Sequence, residues 1–210
     1  ASFGKEWDSV SVTFAFKKGN EAIARMNDSL GITEETVNYL ENDFFGSQGA
    51  LGIYLPACEY KAATNYDDDW GHPDRFVYGY LGDCGLLVFD KDLFPIFLSG
   101  NNVEILERFR EGWGFSSKDE RKIFWTKTMR NKRSARHLTY GSLTGEAEGL
   151  AYLKTGVVSL KSGDTVVLFS DGILPFVYSR DFRRVIQNQI QNDNKKTKPE
   201  NKRTQKRKLT

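Results

Sequence analysis

Residues Gly163 to Gly172 read GDTVVLFSDG, and this stretch decides how the chain is understood. Thr165 to Phe169 are five consecutive residues of high strand propensity, and the run stops at Ser170-Asp171-Gly172. The pattern predicts a buried strand with a carboxylate, Asp171, fixed at its C-terminal edge. Such an acid can reach a polar cleft while its backbone stays rigid. Spacing alone supports a second role equally: Asp171 as the cap of a helix starting near Ile173.

Upstream, Gly156 to Leu160 and the turn Lys161-Ser162-Gly163-Asp164 make a predicted hairpin with this strand. Ala50–Leu55, Phe76–Leu81, Gly85–Phe89 and Phe94–Leu98 are short apolar or alternating runs bounded by Gly, Asp and Pro, the signature of antiparallel strands. Tyr80-Leu81-Gly82-Asp83-Cys84-Gly85 places a second acid, Asp83, at a Gly-Asp turn between two of them, where Asp is also an ordinary turn residue. Helical spacing is expected over residues 20 to 29, ended by Gly31, and over 103 to 110, 117 to 130 and 173 to 192. In the last of these, Phe176, Val177, Phe182, Val185, Ile186 and Ile190 are the expected buried contacts. Thr33 with Glu34 and Glu35 signals a helix to about Phe44. Residues 1 to 18 fit both periods, Val10, Val12, Phe14 and Phe16 alternating like a strand and Trp7, Val10 and Phe14 falling at helical spacing; the segment stays undecided, with a lean to helix because the next segments are helical. Strands in the middle with helices at both ends predict an α+β fold, helices packed on a largely antiparallel sheet system.

Composition narrows the chemistry. The chain has 210 residues, 39% hydrophobic and 13% aromatic, enough for one sizeable core. No apolar run of about 18 residues occurs and the first residues lack a signal-peptide pattern, so a soluble, cytoplasmic protein without a membrane span is expected. Cys58 and Cys84 match no metal or redox spacing and read as free thiols. With only His72 and His137, any metal must be held mainly by oxygen. The acidic connection holding Asp67, Asp68, Asp69, His72 and Asp74 reads as a solvated insertion before a cation site. The last sixteen residues, KKTKPENKRTQKRKLT, carry a net charge of +7 while the remainder carries −5. One domain over 1–192 and a basic disordered tail over 193–210 are expected, the tail open to an anionic partner such as nucleic acid or a membrane.

Taken together, Gly82-Asp83-Cys84, the segment YGSLTGEAEGLAYLKTGVVSLKSGD and Gly163-Asp164 through Ser170-Asp171-Gly172 resemble the metal-dependent protein phosphatase family (type 2C, PPM), bacterial-type branch. GSQGALGIYL is similar to the strand after that family's second helix. The resemblance spans about residues 20 to 190. It implies an antiparallel β-sandwich flanked by helices, with Mg2+ or Mn2+ in a carboxylate cleft. It further implies hydrolysis of phosphoserine or phosphothreonine by metal-activated water, with a phosphoprotein as substrate. By position Asp171 matches the family's central metal ligand, with Gly172 beside it, and Asp83 an additional, weaker metal position. Arg130, Arg133 and Arg136 are candidates for contacting phosphate, since guanidinium forks suit its oxygens, although a solvated basic loop explains them as well.

Departures from the family accompany these matches. No Asp-Gly-x-Gly-Gly motif precedes Phe44, Pro175 replaces an acid often found there, and Asp193-Asn194 leads into the charged tail instead of a last strand. An incomplete version of the fold with a reduced ligand set is therefore expected, its alternative a catalytically inactive phosphatase-like binding module.

Overall fold

A computed structural model describes residues 3–57, 73–100, 114–132 and 139–196. The chain divides into two compact units, Ala1–Asp171 and Gly172–Thr210. The architecture is α+β, with two three-stranded antiparallel sheets and a few helices.

In the first unit, helix α1 spans Phe3–Ser29, joining the two predicted N-terminal segments. It ends where expected. Gly31 takes φ of +69°, the Ile32 N–H donates to the Asn27 carbonyl and the Gly31 N–H to that of Asp28, a left-handed glycine cap with Ile32 buried behind it. Residues 33 to 44 are a correction: the expected second helix is a run of turns. Its own side chains compete for the backbone. The Thr36 hydroxyl donates to the Gly31 carbonyl, Thr36 Oγ1 accepts the Thr33 N–H and Asn38 Oδ1 accepts the Leu40 N–H, while Asn38 and Asn42 pair across a tight turn.

Strands β1 (Gly49–Leu55), β2 (Asp74–Leu81) and β5 (Lys154–Leu160) form one sheet in the order β1-β2-β5. The other holds β3 (Gly85–Phe89), β4 (Pro95–Leu98) and β6 (Thr165–Phe169) in the order β4-β3-β6. The expected hairpin between β5 and β6 is therefore not one. The turn Lys161–Asp164 forms, with the Asp164 N–H on the Lys161 carbonyl and the Lys161 N–H on Asp164 Oδ2, but it carries the chain from one sheet to the other. The Gly82-Asp83 turn does the same between β2 and β3. Turn chemistry sets the reversal, whereas partner choice is set by which apolar faces meet. Here Phe76, Tyr78, Val158 and Leu160 of the first sheet pack with Leu86, Val88, Phe97 and Val166 of the second.

On its opposite face the first sheet is covered by α1. Val12, Phe16 and Ile23, at helical spacing, pack on Val77, Leu81, Leu51 and Ile53, with Val12, Val77 and Leu81 fully buried. The approach is close at Gly79, where a Cβ would stand 2.5 Å from Val12 Cγ1 and 3.1 Å from the Phe16 ring. The second candidate helix, expected over 117–130, comprises α2 (Lys118–Ile123), capped by Ser117, and a π-helical turn, Phe124–Met129. The predicted helix at 103–110, Asp67, Asp68, Asp69 and His72 of the acidic connection, and Cys58 lie outside the described residues, whereas Asp74 opens β2 and accepts the Tyr54 hydroxyl and the Ala57 N–H; Cys84 is buried and in no disulfide. No helix among the described residues is long and apolar enough to cross a membrane.

In the second unit a 3-10 turn, Asp171–Phe176, begins in the first unit's last residue and precedes helix α3, Arg180–Lys196. Ser179 caps α3 through its hydroxyl, which accepts the Phe182 N–H. The helix starts seven residues later than expected, because Pro175 and the turn at Tyr178-Ser179 intervene, and Phe176 and Val185 are exposed instead of buried.

Gly79→Val tests the α1 contact. It is expected to destabilise the protein by about 1–3 kcal/mol, as overpacking against an unyielding neighbour does. Val12→Ala is expected to recover part of that loss in the double variant, read from urea denaturation midpoints.

Candidate functional site

Backbone register brings the two candidate acids together. Gly85 pairs with Phe169, so Asp83, two residues before Gly85, and Asp171, two residues after Phe169, stand at the same end of the β3–β6 ladder. The Asp83 turn is held from the residue just before β1: Gly82 has φ of +76° and sits where any Cβ would strike the Gln48 amide at 2.4 Å, and the Asp83 N–H donates to Gln48 Oε1 at 2.9 Å. Cys84 Sγ lies 3.5 Å from Asp83 Oδ1. Gly172 is exposed in the 3-10 turn and offers no side chain.

A polar network occupies the loop Ser142–Glu146, and α1 builds it. Asn20 and Asn27, seven residues apart on the helical face that also carries Phe16 and Ile23, each use both ends of the amide. Asn20 Nδ2 donates to the Glu146 carbonyl at 3.0 Å and its Oδ1 accepts the Gly145 N–H at 2.9 Å. Asn27 Nδ2 donates to the Thr144 carbonyl at 2.8 Å and its Oδ1 accepts the Phe45 N–H at 2.9 Å. Between them Ala24 faces Gly145, which has φ of +92° and would place a Cβ 2.7 Å from Ala24 Cα, so only glycine fits both the angle and the space.

Within the same loop, Asn131 Nδ2 donates to Thr144 Oγ1 at 2.8 Å and to Glu146 Oε2 at 2.9 Å, and Asn131 Oδ1 accepts the Ser142 N–H at 2.8 Å. Asn131 is fully buried with φ of +53°, a conformation Asn tolerates better than most residues. Lys132 Nζ lies 3.6 Å from Glu146 Oε1.

Arg130 is a correction. It does not offer its guanidinium to a phosphate: it is 7% exposed, with NH2 2.8 Å from Asp43 Oδ1 and NH1 3.1 Å from Asp43 Oδ2 in a two-point ion pair. The rings of Tyr39 and Phe44 lie 6.0 and 5.9 Å from its guanidinium carbon. Burial disfavours the charge, yet the hydrogen bonds and charge of Asp43, with smaller help from Tyr140 and Glu146, raise the Arg130 pKa above its ordinary value. Tyr140 is shifted upward as well, first by burial; Asp43 and Asp83 add to this and Arg130 opposes it. Arg133, Arg136, His72 and His137 lie outside the described residues.

Sequence reasoning overlooked Asn20, Asn27, Gln48, Asp43, Asn131 and Glu146. For the α1 pair a signal existed: two asparagines continuing the buried stripe of Val12 and Phe16 need buried partners. Asp43 and Gln48 carry none, since their partners lie 87 and 35 residues away.

Among the described residues no group of three or more His, Cys, Asp or Glu could hold a metal ion. No protein-family model, curated protein or solved structure matches this chain.

The Arg130–Asp43 pair yields a measurable expectation. Asp43→Asn is expected to cost about 3 kcal/mol in urea denaturation, because it strands a buried cation. Arg130→Met combined with Asp43→Leu is expected to cost clearly less than either single change, and equal or additive losses would show that the pair carries no such coupling.

Proposed function

We propose that this chain is a metal-dependent protein serine/threonine phosphatase domain of the PPM type, built as a reduced version of that family's α-β-β-α sandwich. The single observation that carries the reading is the convergence of Asp83 and Asp171 at one end of the β3–β6 ladder, where the resemblance assigns both to metal. Two three-stranded antiparallel sheets sharing an apolar layer, with α1 on the outer face of the first, are compatible with the same fold.

The residues suit Mg2+ or Mn2+ in one respect that matters: both are carboxylates, and these hard cations take oxygen ligands and tolerate sites with one or two carboxylates completed by water. Asp83 and Asp171 would hold the ion. When bound, it lowers the pKa of coordinated water and offsets phosphate charge. The chain's own contribution is placement. Gln48 fixes the backbone of the Asp83 turn, the β3–β6 ladder fixes that of Asp171, and the Asn20–Asn27 clamp fixes the Ser142–Glu146 loop. A phosphoprotein is the substrate class.

Hydrolysis of a phosphothreonine peptide, followed by phosphate release with and without Mn2+, tests this. Manganese-dependent turnover is expected, falling at least about a hundredfold in Asp171→Asn and less in Asp83→Asn. Turnover that survives Asp171→Asn would remove the assignment of Asp171, and peptide binding without turnover would make the chain a phosphatase-like binding module.

A further inference from the structure

We infer that the cavity between the end of α1, the turns over 33–44 and the Ser142–Glu146 loop binds a linear aliphatic polyamine. Its volume is about 300 Å³, and its lining combines two features that such a molecule needs together. Ile32 and Phe44 offer apolar surface, Asp28, Glu34, Glu35 and Glu146 offer carboxylates, and no lysine or arginine is among the residues that line it.

Positive charge is short at three places in this lining. Glu146 is the buried acid: its side chain is 10% exposed, and Oε2 accepts from Asn131 Nδ2 and Thr144 Oγ1. Its Oε1 accepts no hydrogen bond from the described residues, and Lys132 Nζ, on a side chain 47% exposed, stands 3.6 Å from it, a loose and screened pair. A largely buried carboxylate oxygen without a donor is costly, and a ligand N–H would relieve it. At the end of α1 the last turn holds no basic residue, and Asp28 adds negative charge where the helix dipole already concentrates it. Glu34 and Glu35 stand exposed on a turn that the Thr36 hydroxyl pins to the Gly31 carbonyl. Local rules broken together at one place point to a partner that compensates them.

The spread of the acids selects the kind of cation. Among the described residues no three acids converge closely enough to hold a metal ion, so a point charge such as Mg2+ fits the cavity poorly. Carboxylates distributed around an apolar floor match ammonium groups separated by methylene runs, the stem lying on Ile32 and Phe44 while the heads reach different acids. Each protonated amine supplies N–H donors and no acceptor, the complement of an acid-lined wall.

Isothermal titration calorimetry of the full chain with spermidine at about 50 mM salt tests this. Saturable binding of one molecule per chain is expected, and equimolar Mg2+ is expected not to displace it. Glu146→Gln is expected to weaken binding at least about tenfold, since it removes the buried charge. That change also alters hydrogen bonds within the loop, so the exposed pair Glu34→Gln with Glu35→Gln is measured beside it; a loss of about three- to tenfold is expected, with the urea midpoint unchanged. Glu148→Gln, outside the cavity, is expected to leave affinity as it is. No saturable binding, displacement by equimolar Mg2+, affinity indifferent to the Glu34→Gln and Glu35→Gln pair, or an equal loss in Glu148→Gln would overturn the inference. None of these outcomes depends on phosphatase activity.

Discussion

Helix α1 lies against β2 because Gly79 has no side chain, and most of the first unit's order depends on that approach. Val12 and Phe16 occupy the space a larger residue would need, which fixes the rotation of α1 about its axis. Rotation fixed at that end aims Asn20 and Asn27, about one and three turns beyond Phe16, at the loops from Phe45 and from Ser142 to Glu146. Burying Val12 and Phe16 supplies roughly 1.5–3 kcal/mol each. The amides add less net energy but satisfy backbone groups that would otherwise be buried unpaired.

From that clamp the order passes to the rest of the site region. Thr144 and Glu146, held by α1 through their carbonyls, present side chains to Asn131, and the adjacent Arg130 reaches the opposite loop at Asp43. Arg130 therefore acts as a brace between the 33–45 turns and the segment after the π-helical turn. Its aromatic neighbours Tyr39 and Phe44 shield the pair and raise the cost of losing either partner.

Elements set by local pattern were legible in the sequence: the strands from Ala50 to Leu98, the strand ending before Ser170, and the helix ended by Gly31. What was not legible depends on distant choices. Period and turn residues marked Lys161–Asp164 as a reversal but could not say that β5 would join β2 and β6 would join β3. The acidic start at Thr33 resembled a helix cap until threonine and asparagine side chains took the backbone's hydrogen bonds. Arg130 looked like a phosphate contact because sequence shows a basic neighbourhood and cannot show Asp43 facing it. The placing of Asp83 and Asp171 at one sheet end was likewise not legible, because it depends on β6 joining β3; the sequence marked each acid only at the end of its own strand.

In the proposed site Asp83 and Asp171 share one ion. A Mn2+ titration followed by electron paramagnetic resonance addresses this directly, comparing the unaltered chain with Asp83→Asn and Asp171→Asn. Saturable binding is expected, weakened at least tenfold by either change and lost when both are combined. Equal Mn2+ affinity in all four proteins would contradict it.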